Sequence, residues 1–277
     1  MNFYPLLIDA LKIPILLILL ISIGKYFYGE FTSKLNHSIV RNNIELIFGS
    51  IILFSVFAIF KTSGKTVLSL ALIILISQYF FFKIRPKFSN LTFNKSDIIN
   101  LASISIIFFL LFALQLFKYD YFNEKVTHFG YCDYSSYSDL AERMLLNGNE
   151  TYLDWHSAFN KYNFSYEKLP LPYHFYELWI DSFLLSISNT KGIYVFLYLL
   201  IPFLGTLVFT SLFALSSIFF NKISKKKWIL LFLTAFLFVF FIGKIPFKSG
   251  GFWSYTLSHP RLFSFYIIFP LFIILQK

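Results

Sequence analysis

The sequence predicts an all-α, polytopic membrane protein, a bundle of about seven transmembrane helices with one extracytoplasmic loop. Of its 277 residues, 57% are hydrophobic and only 14% are charged, which is more apolar surface than a water-soluble chain of this length can hide. Long apolar runs with few charges recur along the chain, as is typical of membrane spans. Such spans must be helical because lipid offers no partner to a free backbone N–H or C=O group.

The apolar runs are taken as spans in chain order, and the first is not a signal peptide because no small-x-small cleavage site follows it. We divide the single membrane domain into 1–118 (four spans), 119–190 (an extracytoplasmic loop with interfacial helices) and 191–277 (three further spans). The predicted spans are 11–29, 44–60, 66–84, 98–118, 192–220, 228–243 and 262–276.

Orientation follows from the Lys and Arg residues in the short connections. The connections 25–43, 83–97 and 221–227 hold eleven of these residues, whereas the short segments on the opposite side hold six. The long polar loop, counted from Lys118 to Lys168, carries five basic residues against eight acids. The eleven-residue side is therefore predicted to be cytoplasmic, and the acidic loop to face outward.

The segment 173–189 is predicted to lie along the outer interface or to dip back into the membrane. As a full span it would place the Lys-rich 221–227 connection outside. It also carries His174, Glu177 and Asp181, which are costly to bury in lipid.

The stretch "HFGYCDYSSYSDLAERMLLNGNE", residues 128–150, is predicted to contain a short amphipathic helix on the outer face. Ser136 with Asp139 resembles a capping box, and Asn147-Gly148 is a normal helix stop. One apolar stripe at helical spacing is expected to pack on the spans, with Ser138, Asp139, Glu142 and Arg143 on the other side. The stripe consists of Tyr137, Leu140, Ala141, Met144 and Leu145.

Three groups of polar residues are candidates for a site on the outer side. Asp133 precedes the amphipathic helix, where the positive helix terminus favours an ionised carboxylate, although it could simply solvate the turn. His174 and Glu177, three residues apart, could form a ligand or acid–base pair or be structural. In the last outward loop, 243–263, the basic side chains could grip a phosphate or anchor lipid headgroups; the candidates are Lys244, Lys248, His259 and Arg261.

The order of these segments resembles the GT-C superfamily of membrane glycosyltransferases, which includes protein mannosyltransferases and aminoarabinose transferases. A span is followed by the outward loop "HFGYCDYSSYSDLAERMLLNG" and then by "PLPYHFYELW". In the family an acidic residue follows the membrane helix, and Asp133 matches that position. The chain also resembles uncharacterised polytopic proteins of bacterial surface-polysaccharide loci.

The resemblance covers about 98–220 and implies an enzyme that moves a sugar from a polyprenyl-phosphate carrier to a glycan or lipid acceptor. Asp133 would be the base or the carboxylate that assists a metal, and the expected location is the bacterial inner membrane. No cofactor is implied with certainty, and a divalent metal is left open. Three spans precede the family-like start and the chain stops at Lys277, so we expect a truncated product or one half of a split gene.

A second hypothesis is a non-catalytic transporter or flippase component that handles lipid-linked glycans. Transporters place polar groups near the bilayer midplane, whereas the predicted spans here contain few ionisable residues, with Glu45 the main charged exception. The basic residues lie in short connections, where they orient helices and meet anionic lipid, and nucleic acid is not an expected partner. The single Cys132 excludes an intramolecular disulfide.

Overall fold

The computed structural model describes residues 3–35, 37–60, 63–81, 93–118, 133–147 and 175–219. Every regular element in these ranges is helical, which confirms the predicted all-α class. In chain order the first six helices are α1 (Phe3–Thr32), α2 (Ser38–Phe60), α3 (Gly64–Phe81), α4 (Lys95–Lys118), α5 (Asp133–Asn147) and α6 (Phe175–Ile187). The predicted spans 228–243 and 262–276 lie outside the described residues.

The remaining described chain forms one long helix with an irregular turn near its start. It consists of α7 (Gly192–Val195), a π-helical turn (Phe196–Leu200) and α8 (Ile201–Phe219). The cap residues on both sides of the π-helical turn, Val195 and Ile201, keep right-handed helical backbone angles. The helical path therefore continues through the turn, as is usual for a π-bulge within an α-helix.

Four helices of the described part are long and apolar enough to cross a membrane: α1, α2, α4 and the long helix over Gly192–Ala214. The third predicted span is helical, but its apolar part, Gly64–Ser77, is shorter than these four. The chain is thus an integral membrane protein by the length and composition of its helices.

Among the described helices, α1 and α2 approach each other closely where both present glycine. A Cβ atom on Gly24 would overlap the backbone carbonyl of Glu45, and one on Gly49 would overlap the carbonyl of Leu20. Glycine is required at both positions because the two backbones are in direct contact. Small residues at helix crossings are a common feature of membrane bundles, where close packing replaces the hydrophobic driving force.

One end of the bundle, here called the Asp97 end, is held by buried charges. Asp97 caps α4 reciprocally with Asn94: its amide donates to Asn94 Oδ1 (2.8 Å), and the Asn94 amide donates to Asp97 Oδ2 (3.1 Å). Arg41 Nη2 on α2 lies 2.6 Å from Asp97 Oδ1, and Lys25 Nζ on α1 lies 3.7 Å from Oδ2. One carboxylate therefore joins the start of α4 to both α1 and α2.

The polar turn of α2, Arg41–Glu45, is buried because its side chains reach other helices. The Thr32 hydroxyl on α1 donates to Glu45 Oε1 (2.6 Å), and Asn43 Nδ2 donates to Ser211 Oγ on α8 (3.1 Å). The Glu45 and Asn43 contacts are buried and the Arg41–Asp97 contact is part-buried, so α2 is linked by polar bonds to α1, α4 and α8 at this end of the bundle.

The opposite end, here called the Asp9 end, joins the start of α1 to the turn after α6. Asp9 is 1% exposed. Its Oδ2 accepts the backbone N–H of Asn189 (2.9 Å) and the hydroxyl of Thr190, while its Oδ1 lies 2.7 Å from Lys12 Nζ. Lys12 also donates to the carbonyl of Ile187 (2.7 Å), which completes the cap on the end of α6. The α2–α3 turn lies here too, because Gly64 abuts Ser186 and Ile187.

Candidate functional site

The amphipathic helix α5 packs against α6, α7 and the π-helical turn. Four of the five residues of its predicted apolar stripe are buried, since Tyr137 is 3% exposed and Leu140, Ala141 and Met144 are fully buried, and the fifth, Leu145, is partly buried. Ser138 was predicted to lie on the other side of the helix, and this is wrong. It is 2% exposed because α5 is covered on two sides, by α6 and by the start of the long helix.

Three contacts fix α5 in place. The Ser182 hydroxyl of α6 donates to the carbonyl of Ala141 (2.7 Å), and the ring of Tyr137 stacks on Phe196 with centroids 6.2 Å apart. The Gly192 amide donates to Glu142 Oε1 at 3.0 Å. A Cβ atom on Gly192 would overlap Glu142 Oε1 and lie 2.6 Å from Ser138 Oγ, so a larger residue there would require these two side chains to move.

The short helix α6 is buried against the half of α2 that leads to the Asp9 end. The Tyr176 hydroxyl donates to the carbonyl of Ile51 (2.9 Å), near the middle of α2, and burial raises the pKa of Tyr176 to about 12. Two turns further along α6, the Phe183 ring meets the rings of Phe54 and Phe57 edge to face, with centroids 5.2 Å apart in both pairs. The helix thus runs from the middle of α2 to the end of the bundle.

Two carboxylates on α6 are buried, one turn apart. Glu177 is 5% exposed and Asp181 is completely buried. In the described part of the chain, neither oxygen of Asp181 accepts a hydrogen bond. Burial raises the pKa of Asp181 well above its ordinary value, and the negative charge of Glu142 on α5 raises this pKa further. The α5–α6 contact therefore holds a carboxyl that favours its protonated form.

An apolar groove opens between α1, α2 and α3. Its volume is about 390 Å³, and nearly all of its lining is hydrophobic side chains. It runs from Phe60 and Val67, at the Asp9 end of the bundle, to Tyr26 and Ile74 deeper along the helices. The part of the groove at the Asp9 end, here called its upper end, lies beside the α2–α3 turn. It is therefore next to the end of α6, which touches Gly64.

The predicted site residues are described only in part. Asp133 is the first residue of α5, so the acidic position lies at the N-terminus of the docked helix, but its side chain is outside the described set. Glu177 is buried on α6. The other predicted site residues lie outside the described ranges: His174, Lys244, Lys248, His259 and Arg261. Within those ranges, no three His, Cys, Asp or Glu side chains come close enough to hold a metal ion.

Sequence reasoning missed the roles of Asp181 and Asp9. Asp181 had a signal, since an aspartate within an otherwise apolar segment is costly to bury and is commonly functional. Asp9 had a weaker signal, because a carboxylate three residues before Lys12 resembles an ordinary surface pair. Its contacts with Asn189 and Thr190 depend on residues 180 and 181 positions away. Scans against protein-family models, curated proteins and solved structures found no match to this chain.

Proposed function

We propose that the chain is a GT-C-like glycosyltransferase of cell-surface glycan synthesis in the bacterial inner membrane. Its donor is a polyprenyl-phosphate-linked sugar, its acceptor is a glycan or lipid, and its chemistry takes place on the extracytoplasmic side. The observation that carries the proposal is the joint position of two features at the Asp9 end. The end of α6, against which α5 packs, and the groove opening near Phe60 and Val67 both lie at that end of the bundle.

The apolar groove supports a lipid-linked substrate. An isoprenoid chain is a long hydrocarbon, and a groove with almost no polar lining can take it from the bilayer without leaving polar groups unpaired. With the tail in the groove, the phosphate and sugar would emerge beside the α2–α3 turn. Lys65, exposed in the first turn of α3, supplies a positive charge near that point.

Helix α5 supports the placement of the reacting carboxylate. It begins at Asp133, and its buried stripe fixes its register on α6. In the proposed reaction Asp133 takes the proton of the acceptor hydroxyl as that oxygen attacks the anomeric carbon, and the carrier phosphate leaves. Lys244, Lys248, His259 and Arg261 are proposed to bind that phosphate, and His174 and Glu177 to contact the sugar or acceptor.

The transfer itself is tested with the purified protein in proteoliposomes that contain a radiolabelled polyprenyl-phosphate sugar and an extract of surface glycan acceptors. Asp133→Asn is expected to lower label transfer at least about 100-fold, as loss of a general base does. Asp139→Asn is the matched control, because Asp139 is an exposed carboxylate on the same helix. Equal transfer by both variants overturns the role of Asp133, and no transfer by the unaltered chain overturns the enzyme assignment.

The groove is tested separately by filling it. Ala71 lines the groove, whereas Ile73 of the same helix points away from it and is 61% exposed. Ala71→Trp is expected to weaken binding of the long-chain carrier at least tenfold and to leave short-chain carriers unaffected, while Ile73→Trp changes neither. Binding is measured as displacement of a fluorescent long-chain carrier. If both variants bind the carrier equally well, the groove is not its site.

A further inference from the structure

The buried carboxyl of Asp181 is not explained by packing. It is 0% exposed, and neither of its oxygens accepts a hydrogen bond in the described part of the chain. An ionised carboxylate in that position would carry a large desolvation cost with no compensating partner. Natural proteins rarely keep such a group, and buried ionisable residues in membrane bundles commonly have a function.

The neighbouring charge that acts on Asp181 is that of Glu142, which is also a carboxylate. Glu142 on α5 is exposed, and its Oε1 accepts the Gly192 amide, which holds this carboxyl at the start of α7. Glu142 acts against ionisation of Asp181, and two carboxylates at one site cannot both be ionised without a further penalty. Other ionisable groups lie on α6 itself and on the described helices that pack against it, and Asp9 and Lys12 of α1 meet the end of α6. They are Tyr176 and Glu177 on α6, Arg41 and Glu45 on α2, Lys65 and Tyr79 on α3, Asp133, Tyr134, Tyr137, Asp139 and Arg143 on α5, and Tyr194 and Tyr198 at the start of the long helix.

We propose that Asp181 and Glu142 form a proton-binding carboxyl pair, with Asp181 as the protonated member, and that release of this proton lets α5 separate from α6. The ligand of the site is a single proton. The moving element is α5, which is held by the stripe around Leu140 and Met144 and by the bond from Ser182 to the Ala141 carbonyl. Separation of the two helices brings Asp181 to water, where its charge is solvated.

In the closed state α5 is docked on α6, and in the open state the two helices are separated. The sign of the pH dependence follows because the closed state holds the proton more tightly than the open state does. Burial gives Asp181 a raised pKa when α5 is docked, and an ordinary pKa near 4 when it is exposed. Between those two values the open form binds fewer protons than the closed form. Opening therefore becomes more favourable as pH rises, by up to about tenfold per pH unit, and levels off above the raised pKa.

Cysteine labelling measures this opening directly. In a Cys132→Ser background, Met144→Cys places a thiol on the fully buried face of α5, and Leu146→Cys places one on the exposed face, where the native side chain is 84% exposed. Both chains are reconstituted and labelled with a maleimide between about pH 5 and 9. The readout is the labelling rate of Met144→Cys divided by that of Leu146→Cys, because this ratio removes the effect of pH on the thiols themselves.

The ratio is expected to rise by up to about tenfold per pH unit in the chain that keeps Asp181. With Asp181→Asn it should stay flat and low. With Glu142→Gln, which keeps the acceptor for Gly192, the total rise should be smaller because a repulsive charge has been removed. A flat ratio in the chain with Asp181, or a rise that survives Asp181→Asn, overturns the proposal. Neither result bears on transferase activity, so the two proposals can fail independently.

Discussion

Arg41 and Asp97 form the shortest ion pair between helices in the described part of the chain, with Nη2 of Arg41 on α2 2.6 Å from Oδ1 of Asp97 on α4. The Asp97 side chain is only 2% exposed and also binds Lys25, so it serves as the common partner of two cations. The pair lies at the end that the Lys and Arg count assigns to the cytoplasm. It fixes the start of α4 relative to the α1–α2 pair.

Breaking this pair from one side is expected to destabilise the protein more than removing both partners. Arg41→Gln or Asp97→Asn leaves a poorly solvated charge behind, at a cost of up to about 3 kcal/mol. The double variant should lose less than the sum of the two, because it no longer leaves the charge of Arg41 without a partner and only Lys25 loses its carboxylate. Thermal unfolding in detergent micelles measures all three, with Lys34→Gln as an exposed control. Additive single effects would show that the two side chains act independently.

The α1–α2 crossing is expected to tolerate no side chain at Gly24. Gly24→Ala places a methyl group on the carbonyl of Glu45, so the helices must move apart, at a cost of about 1 to 3 kcal/mol or more. Gly205→Ala is the matched control, since a Cβ atom there meets only the flexible Leu111 side chain at 3.1 Å. The comparison is made by thermal unfolding. An equal change in stability in the two variants would mean that the crossing accommodates a methyl group, because the higher helix propensity of Ala acts in the same direction at both positions.

Asp9 is expected to hold the turn after α6 against α1. Asp9→Ala removes the acceptor of the Asn189 amide and of the Thr190 hydroxyl, both in part-buried hydrogen bonds, and loss of such a bond costs about 1 kcal/mol. Hydrogen–deuterium exchange at Asn189 should accelerate in this variant, while exchange in the middle of α2 stays the same. Asp139→Ala serves as the control. Unchanged exchange at Asn189 would show that another group holds the turn.

Docking of α5 is expected to depend on Met144 and not on its neighbour Leu146. Met144 is fully buried, and Met→Ala at such a position costs roughly 2 to 5 kcal/mol. Leu146 is 84% exposed, so Leu146→Ala should change stability by less than about 0.5 kcal/mol. Hydrogen exchange of residues 138–145 reports the difference. Matching exchange in the two variants would mean that α5 does not need its apolar stripe to stay docked.

The stripe of α5 could be predicted because an apolar face at helical spacing has one physical use, which is burial. The same rule failed for Ser138, since periodicity describes a helix with one covered side and α5 is covered on two. The helix ends could not be found from hydropathy either. Helix α2 begins at Ser38 rather than near residue 44, because the polar turn Arg41–Glu45 is paired with other helices and so remains buried.

The site was predicted less well because its polar groups are brought together by contacts distant in sequence. Asp9 meets residues 189 and 190, and Glu142 meets Gly192. No local pattern in the sequence encodes such pairs. The interpretation of 173–189 depended on the charge count of the connections, and the structure gives α6 as a 13-residue helix beside half of α2. A helix of that length is well short of the about 20 residues that a full crossing needs.

The orientation of the bundle is expected to follow the Lys and Arg count, with the Asp9 end outside and the Asp97 end inside. Ser63 in the α2–α3 turn and Ser33 in the α1–α2 turn are both exposed, and α2 separates them along its whole length. In a Cys132→Ser background, Ser63→Cys should react with an impermeant maleimide in intact spheroplasts, and Ser33→Cys only after permeabilisation. The reverse pattern would place α5, α6 and Asp133 on the cytoplasmic side, where an extracytoplasmic sugar transfer cannot occur.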